Sequence, residues 1–248
     1  MTSKSTVMQT RYASLLTVLI NHAVAAANKT PLLVWEMAIF RLEIKPIRRS
    51  EGRDARAAAA YRSGTRIGPH DYTRRRGVEH TELFAPATSR IQDRAELWNQ
   101  AEDAERRKNS VVAREVLIAL PHELPQADRI ALIRQLAGWL VSRYGVAIDA
   151  ALHAPRSGHD ERNHHAHLLM TTRRLSYAGL GEKTRELDDN RITGPREIAA
   201  IRATWCAMVN AYGFNLDHRA RLPECAMQPP TPRPSPTRRA DSRHPPQP

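Results

Sequence analysis

Between Ala147 and Thr172 the chain carries two short apolar runs, AIDAALHA and HAHLLMTT, parted by PRSGHDERN and His164. The Pro, Gly, Asp and Asn of the intervening stretch are turn formers, so the pattern predicts two strands folded into a β-hairpin with a long loop. Residues two apart on a strand share a face. His165 and His167 therefore project together, while His164 and Ala166 face the other way. His153 closes the first strand, and a fold at residues 155–163 brings it beside His165. Three imidazoles then converge on one face with positions left open for water or a substrate, as in catalytic metal sites. A His-x-His pair alone carries little weight in a chain with 11 histidines. The third histidine, across the hairpin, makes the group a constellation. Imidazole donors suit a transition metal better than Mg²⁺, which prefers oxygen; which divalent ion is used stays open.

The rest of the chain supplies the remainder of an α+β domain. Met37 to Ile47 reads as an opening strand. Ser50 to Ser63, SEGRDARAAAAYRS, reads as a helix capped by Ser50 and ended by Gly64, with four alanines favouring it. The stretch HDYTRRRGVEHTEL is expected to be a polar, arginine-rich loop. A charged helix over residues 94–108 places Leu97 and Trp98 on its apolar side. Val111 to Leu120 is a buried strand closed by Pro121. Gln126 to Tyr144 is an amphipathic helix with Ile130, Ile133, Leu136, Ala137, Leu140 and Val141 at three-four spacing. A last helix, Pro195 to Tyr212, buries Ile198, Ile201, Trp205, Met208 and Val209. Nine of the 17 prolines lie in residues 223–248, which predicts a disordered Pro/Arg-rich tail. Residues 13–27 resemble a signal peptide, but Asn21 and His22 interrupt a run already too short to span a membrane. Residues 1–36 are expected to be a dispensable leader, 37–222 the functional domain.

Charge narrows the partner. Lys and Arg number 38 against 26 Asp and Glu, a formal net charge of +12, which favours a polyanion: nucleic acid first, an acidic membrane surface second. Two cysteines outside any metal-ligand spacing exclude a disulfide framework and point to a reducing cytoplasm. A basic surface beside a metal suggests phosphate-ester chemistry, with water or a side chain as the attacking group. Tyr61 is the candidate side chain, near the end of its helix and flanked by Arg56, Arg62 and Arg66. A phenol needs a base or positive surroundings to ionise, since its pKa in water is about 10. A tyrosine on an alanine-rich helix is also a common packing residue. Glu115 is the odd residue of an apolar strand, either partnered by a histidine or phenol, or ion-paired with Arg114 or another arginine. Arg74, Arg75 and Arg76 are candidate phosphate contacts. Tyr72 is one of few aromatics available for base stacking.

Several segments, taken in order, resemble the MobA/MobL mobilisation proteins: AAAAYRSGTRI, HDYTRRRGVEHTEL, LWNQAEDAERRKNSVVAREVLIALPHEL and LHAPRSGHDERNHHAHLLMTTRRL. The likeness covers roughly Met37 to Arg221 and extends to the relaxase domain at the front of TraA-type conjugation proteins. Those proteins continue into a helicase, whereas the proline-rich tail here looks foreign to the family. The resemblance implies an HUH-type relaxase fold, an antiparallel sheet of about five strands backed by helices. It implies Tyr61 as nucleophile, Glu115 as a second catalytic residue, and His153, His165 and His167 as ligands of a divalent ion, Mn²⁺ or Mg²⁺. Arg62, Arg74, Arg75 and Arg76 would meet DNA. The implied reaction is strand-specific nicking and rejoining at the nic site of a plasmid transfer origin through a 5′-phosphotyrosyl link. The implied setting is the bacterial cytoplasm with single-stranded DNA, accessory mobilisation proteins and a type IV coupling protein, and no membrane. Two other readings fit the residues: a basic DNA-binding protein without catalysis, and a metal-dependent phosphodiester hydrolase using water.

Overall fold

Five strands form one antiparallel sheet in the order β1-β5-β7-β6-β4. They are β1 (Leu42–Arg48), β4 (Val78–Phe84), β5 (Val111–Ala119), β6 (Ile148–His153) and β7 (His165–Thr171). The computed structural model describes residues 40–214 apart from 92, 157, 159 and 190. The leader of residues 1–36, with its apolar stretch, and the tail of residues 223–248 lie outside the described residues. Among the described residues four helices accompany the sheet: α1 (Ala55–Ser63), α2 (Arg94–Asp103), α3 (Gln126–Tyr144) and α4 (Thr193–Asn210). Two small ribbons complete it, β2 (Arg66–Ile67) with β3 (His70–Asp71), and β8 (Arg173–Ser176) with β9 (Gly179–Lys183).

Alternation along the strands sorts residues between two layers. On one face Val116, Ile118, Ile148, Ala150, Leu152, Ala166, Leu168 and Met170 pack against Leu132, Leu136 and Leu140 of α3 and Ile201 and Trp205 of α4. On the other, Leu169 and Ala113 meet Ala55, Ala59 and Ala60 of α1 and Leu97 and Trp98 of α2. The small alanine side chains let α1 lie close to the strands, which matters for the site at its end. Among the described residues no helix is long and apolar enough to cross a membrane.

The structure moves several expected boundaries. Ser50 does not cap α1; it lies in a 3₁₀ turn, Arg49–Glu51, ended by Gly52 at φ 69°. The cap is Asp54, whose carboxylate accepts from the amides of Arg56 at 2.7 Å and Ala57 at 3.1 Å, two donors that the first turn leaves unpaired. Gly64 ends the helix in the left-handed region as expected. The stretch expected as an arginine-rich loop holds strand β4 from Val78 onward. An edge strand pairs on one side only and tolerates charge, so Glu79, His80 and Glu82 masked it. The charged helix ends at Asp103, not 108, and Glu102 near its end turns inward to Arg49 and to the amide of Ala55 at 2.7 Å. The strands of the β8–β9 ribbon, RRLS and GLGEK, carry too few apolar residues for alternation to mark them in the sequence.

Candidate active site

The hairpin register sets His153 opposite His165, with Ala151 opposite His167. The three rings gather as the strand geometry predicts, with centroids 4.7 Å apart for His153 and His167, 5.2 Å for His165 and His167, and 5.4 Å for His153 and His165. One nitrogen from each ring lies within 4.8 Å of the others. Each ring also has an acceptor for its N–H. Nε2 of His153 donates to the Arg62 carbonyl at 2.7 Å, Nδ1 of His165 to the Asn163 carbonyl at 2.9 Å, and Nδ1 of His167 to Glu115 Oε1 at 2.6 Å. These contacts select tautomers and leave the lone pair on the second nitrogen, as in histidines that ligate metals. Burial pushes the His153 pKa down to about 4 and lowers that of His165, so both are held in the neutral form that coordinates. A three-imidazole donor set fits a divalent transition ion.

Glu115 sits on the same face of β5 as Leu117, which pairs with His167. It is buried, and it accepts from Arg62 Nε at 2.5 Å as well as from His167. Burial alone would raise its pKa, but the hydrogen bonds from His167 and Arg62 outweigh that and hold the carboxyl well below the usual carboxylate range. Arg114, the other partner considered, points to the opposite face, as adjacent strand residues must, and binds Thr184 and Asp188.

Helix α1 delivers two neighbouring residues in two directions. Arg62 turns in, 15% exposed, to Glu115 and to the Ala58 carbonyl at 2.9 Å. That places it as a strut between helix and sheet, where the sequence suggested a DNA contact. Tyr61 turns out to a cavity of about 730 Å³ that it shares with His153, His165 and His167. Its hydroxyl-bearing ring lies edge-on to Tyr72, with centroids 5.3 Å apart. Of the arginines expected around the phenol, Arg56 is tied to Asp54 and Arg62 to Glu115. The guanidinium that meets Tyr61 belongs instead to Arg75, 3.7 Å from the ring centroid. Its polar contact lowers the phenol pKa, against a smaller opposing effect of burial.

This arrangement sits within a chain that matches the MobA/MobL family over residues 53–237. The chain belongs to the MobA/MobL family. It is 39% identical over 217 residues to the mobilization protein MobL of Acidithiobacillus ferridurans, covering 75% of this chain and 57% of that protein. A probable conjugal transfer protein TraA of Sinorhizobium fredii is 33% identical over 166 residues, 59% of this chain and 14% of its own length. The chain thus spans little more than half of the first relative and a small part of the second. A structure solved for the molecular basis of vancomycin resistance transfer in Staphylococcus aureus superposes with a TM-score of 0.62 at 30% identity, over 72% of this chain and 96% of that one.

In this MobA/MobL protein the cavity wall also contains Arg41, Arg76 and Arg156. Arg76 was expected at DNA; Arg74 is exposed nearby. Arg41 and Arg156 were missed. Arg156 stands in the turn joining the histidine strands, so its position was readable. Arg41 reaches the site only because β1 lies next to β5.

Proposed function

We propose that this MobA/MobL protein nicks and rejoins one DNA strand at the nic site of a plasmid transfer origin by tyrosine transesterification, within a unit of residues 37–222. The observation that carries the proposal is that the Tyr61 phenol and three tautomer-fixed imidazoles line a single basic cavity. Arg41, Arg75, Arg76 and Arg156 would hold the DNA phosphates there by charge. The Tyr61 oxygen attacks the scissile phosphorus and loses its proton to solvent. The bond from phosphorus to the 3′ oxygen breaks, and that oxygen is protonated as the free 3′-hydroxyl. The 5′ side stays joined to Tyr61, and attack by a 3′-hydroxyl reverses the sequence. A divalent ion held by His153, His165 and His167 would draw charge from a non-bridging phosphate oxygen. The imidazole set favours a first-row transition ion such as Mn²⁺ over Mg²⁺. Glu115, already paired with Arg62 and His167, serves as a positioning residue that orients His167, not as the base. The setting is plasmid DNA in the bacterial cytoplasm, single-stranded at nic, with accessory mobilisation proteins and a coupling protein as partners.

The test incubates the full chain and Mn²⁺ with end-labelled single-stranded oligonucleotides tiling the DNA beside the gene, resolved on denaturing gels. A protein-linked 5′ product is expected, and Tyr61→Phe should reduce it by at least roughly a thousand-fold while DNA binding persists. Free 5′ ends would mean water is the nucleophile. Binding with no cleavage would leave a DNA-binding protein, and undiminished adduct in the variant would remove Tyr61 from its role.

A further inference from the structure

Arg75 differs from the arginines on either side of it. Arg74 and Arg76 are exposed, whereas Arg75 is folded into the cavity. Its Cζ lies 3.7 Å from the Tyr61 ring centroid, and its Nη2 is 3.5 Å from Nδ1 of His153. That nitrogen carries the lone pair His153 has left to offer a cation. Arg75 Nε is buried with no hydrogen-bond partner, and among the described residues no carboxylate pairs with the guanidinium. The other inward guanidiniums nearby, those of Arg62 and Arg94, each meet an acid, Glu115 and Asp149.

The backbone beneath Arg75 is pinned by bonds that do not involve its side chain. The Arg75 amide donates to the Tyr72 carbonyl at 2.9 Å, and the Gly77 carbonyl accepts from Ala154 at 2.9 Å, tying the loop to the end of β6. Gly77, at φ 84°, makes the turn that re-enters β4. On the other side Gly64 lies under the loop, with the Arg75 carbonyl 3.8 Å from where a Cβ would stand. A partly buried cation held on a fixed turn, touching the proposed nucleophile and a proposed ligand but no acid, lacks an anion.

We propose that Arg75 is a guard that the scissile phosphate displaces: without DNA its guanidinium occupies the space between the Tyr61 phenol and His153 Nδ1, and with DNA it moves onto a non-bridging phosphate oxygen. This rests on the reading of Tyr61 as nucleophile and the histidines as metal holders. Two consequences follow from charge. In the DNA-free protein the guanidinium opposes a divalent cation at His153, so removing it should tighten metal binding. In the DNA complex it is a charged donor to the phosphate under attack, so removing it should slow cleavage. Metal and DNA are then coupled through Arg75, and coupling is reciprocal. A residue that merely supported the fold would weaken both functions when changed.

The experiment titrates the full-length wild type, Arg75→Gln and Arg75→Lys with Mn²⁺ alone by calorimetry, then with single-stranded origin DNA present, and measures adduct formation in parallel. Arg75→Gln is expected to bind Mn²⁺ about 5–10-fold more tightly than wild type without DNA and to form adduct about 10²–10³-fold more slowly. DNA should strengthen Mn²⁺ binding in both proteins, and by a larger factor in wild type, where it also removes the guanidinium from His153, than in Arg75→Gln. Arg75→Lys, which keeps the charge, should retain the weaker metal binding and recover part of the adduct rate. Equal or weaker Mn²⁺ binding in Arg75→Gln, or adduct formation at the wild-type rate, overturns the proposal. The same holds for an Arg75→Gln protein that fails to fold while Arg75→Lys binds Mn²⁺ more tightly than wild type. Failure of the Tyr61 reading is visible separately, as adduct formed by Tyr61→Phe, and leaves the metal titration unchanged.

Discussion

The two faces of the five-stranded sheet are made from alternate residues of the same strands, and they are built on opposite principles. Under α3 and α4 the strands contribute Val116, Ile118, Ile148, Leu152, Leu168 and Met170, apolar side chains closed off from water. Facing α1 and α2, the same strands contribute Glu115, Asp149, His153, His165 and His167, each polar group matched to a named partner. Arg94 and the Trp98 indole bind Asp149, and Arg62 and His167 bind Glu115. Burying such groups costs more than burying leucine unless every one is satisfied. The first face therefore supplies the larger apolar core, and the second combines a smaller one with a preorganised polar site. The division also explains why the site lies at one end of the sheet: α1 covers the second face only as far as Ser63, and beyond it the histidine cluster opens to the cavity.

The widest test of this contrast is on the apolar side. Leu136→Ala, at a fully buried position of α3, should cost about 2–5 kcal/mol in urea unfolding, with metal affinity per folded molecule unchanged. Little loss of stability would mean that this face is not the principal core. Glu115→Gln attacks the other face. It should reduce Mn²⁺ affinity about 10–100-fold in calorimetry, because His167 loses the charged acceptor for its Nδ1–H. The carboxyl is held below its ordinary pKa, so its contribution to stability is present above the unfolded value of about 4.3 and fades as pH falls towards the folded value. Thermal melts of wild type and variant should accordingly converge below that pH; a constant gap would show that Glu115 is not the ionised anchor.

Gly64→Ala examines the seam between the faces. Gly64 sits at φ 65°, and a Cβ there would lie 3.3 Å from Val78 Cγ2. The expected cost is about 1–2 kcal/mol, together with slower adduct formation as the Tyr61 end of α1 shifts. Stability lost with unchanged cleavage would separate the turn from the site. Arg74→Ala should have the smallest effect: DNA binding weakened alike across sequences, with the slope of log K against log salt reduced by about 1. A change in sequence preference would instead place Arg74 at a base.

Residue by residue, legibility followed the range of the contact. The β6–β7 hairpin and the convergence of His153 with His165 and His167 were readable because the alternation of strand residues and the turn between them are local. Helix α3 was readable end to end from its three-four spacing. Strand β4 was not, since an edge strand of polar residues resembles a loop until its neighbour is known. Asp54 was overlooked as a cap because Ser50 stood ahead of it, and Gly52 decided between them. Arg62 read as a basic surface residue, yet its partner Glu115 stands 53 positions away.

Amino-acid order by itself determined the histidine strands, the side on which each imidazole lies, the basic charge and the presence of a tyrosine near a helix end. Only the tertiary structure decided that α1 docks on the histidine face, that Arg62 turns in while Tyr61 turns out, and that Arg75 is the guanidinium against the phenol. The physical reason is distance along the chain. Strand alternation is set by neighbouring backbone angles, whereas the bond from His153 to the Arg62 carbonyl joins residues 91 positions apart and exists only once the sheet has closed and its alanine-faced helix has packed upon it.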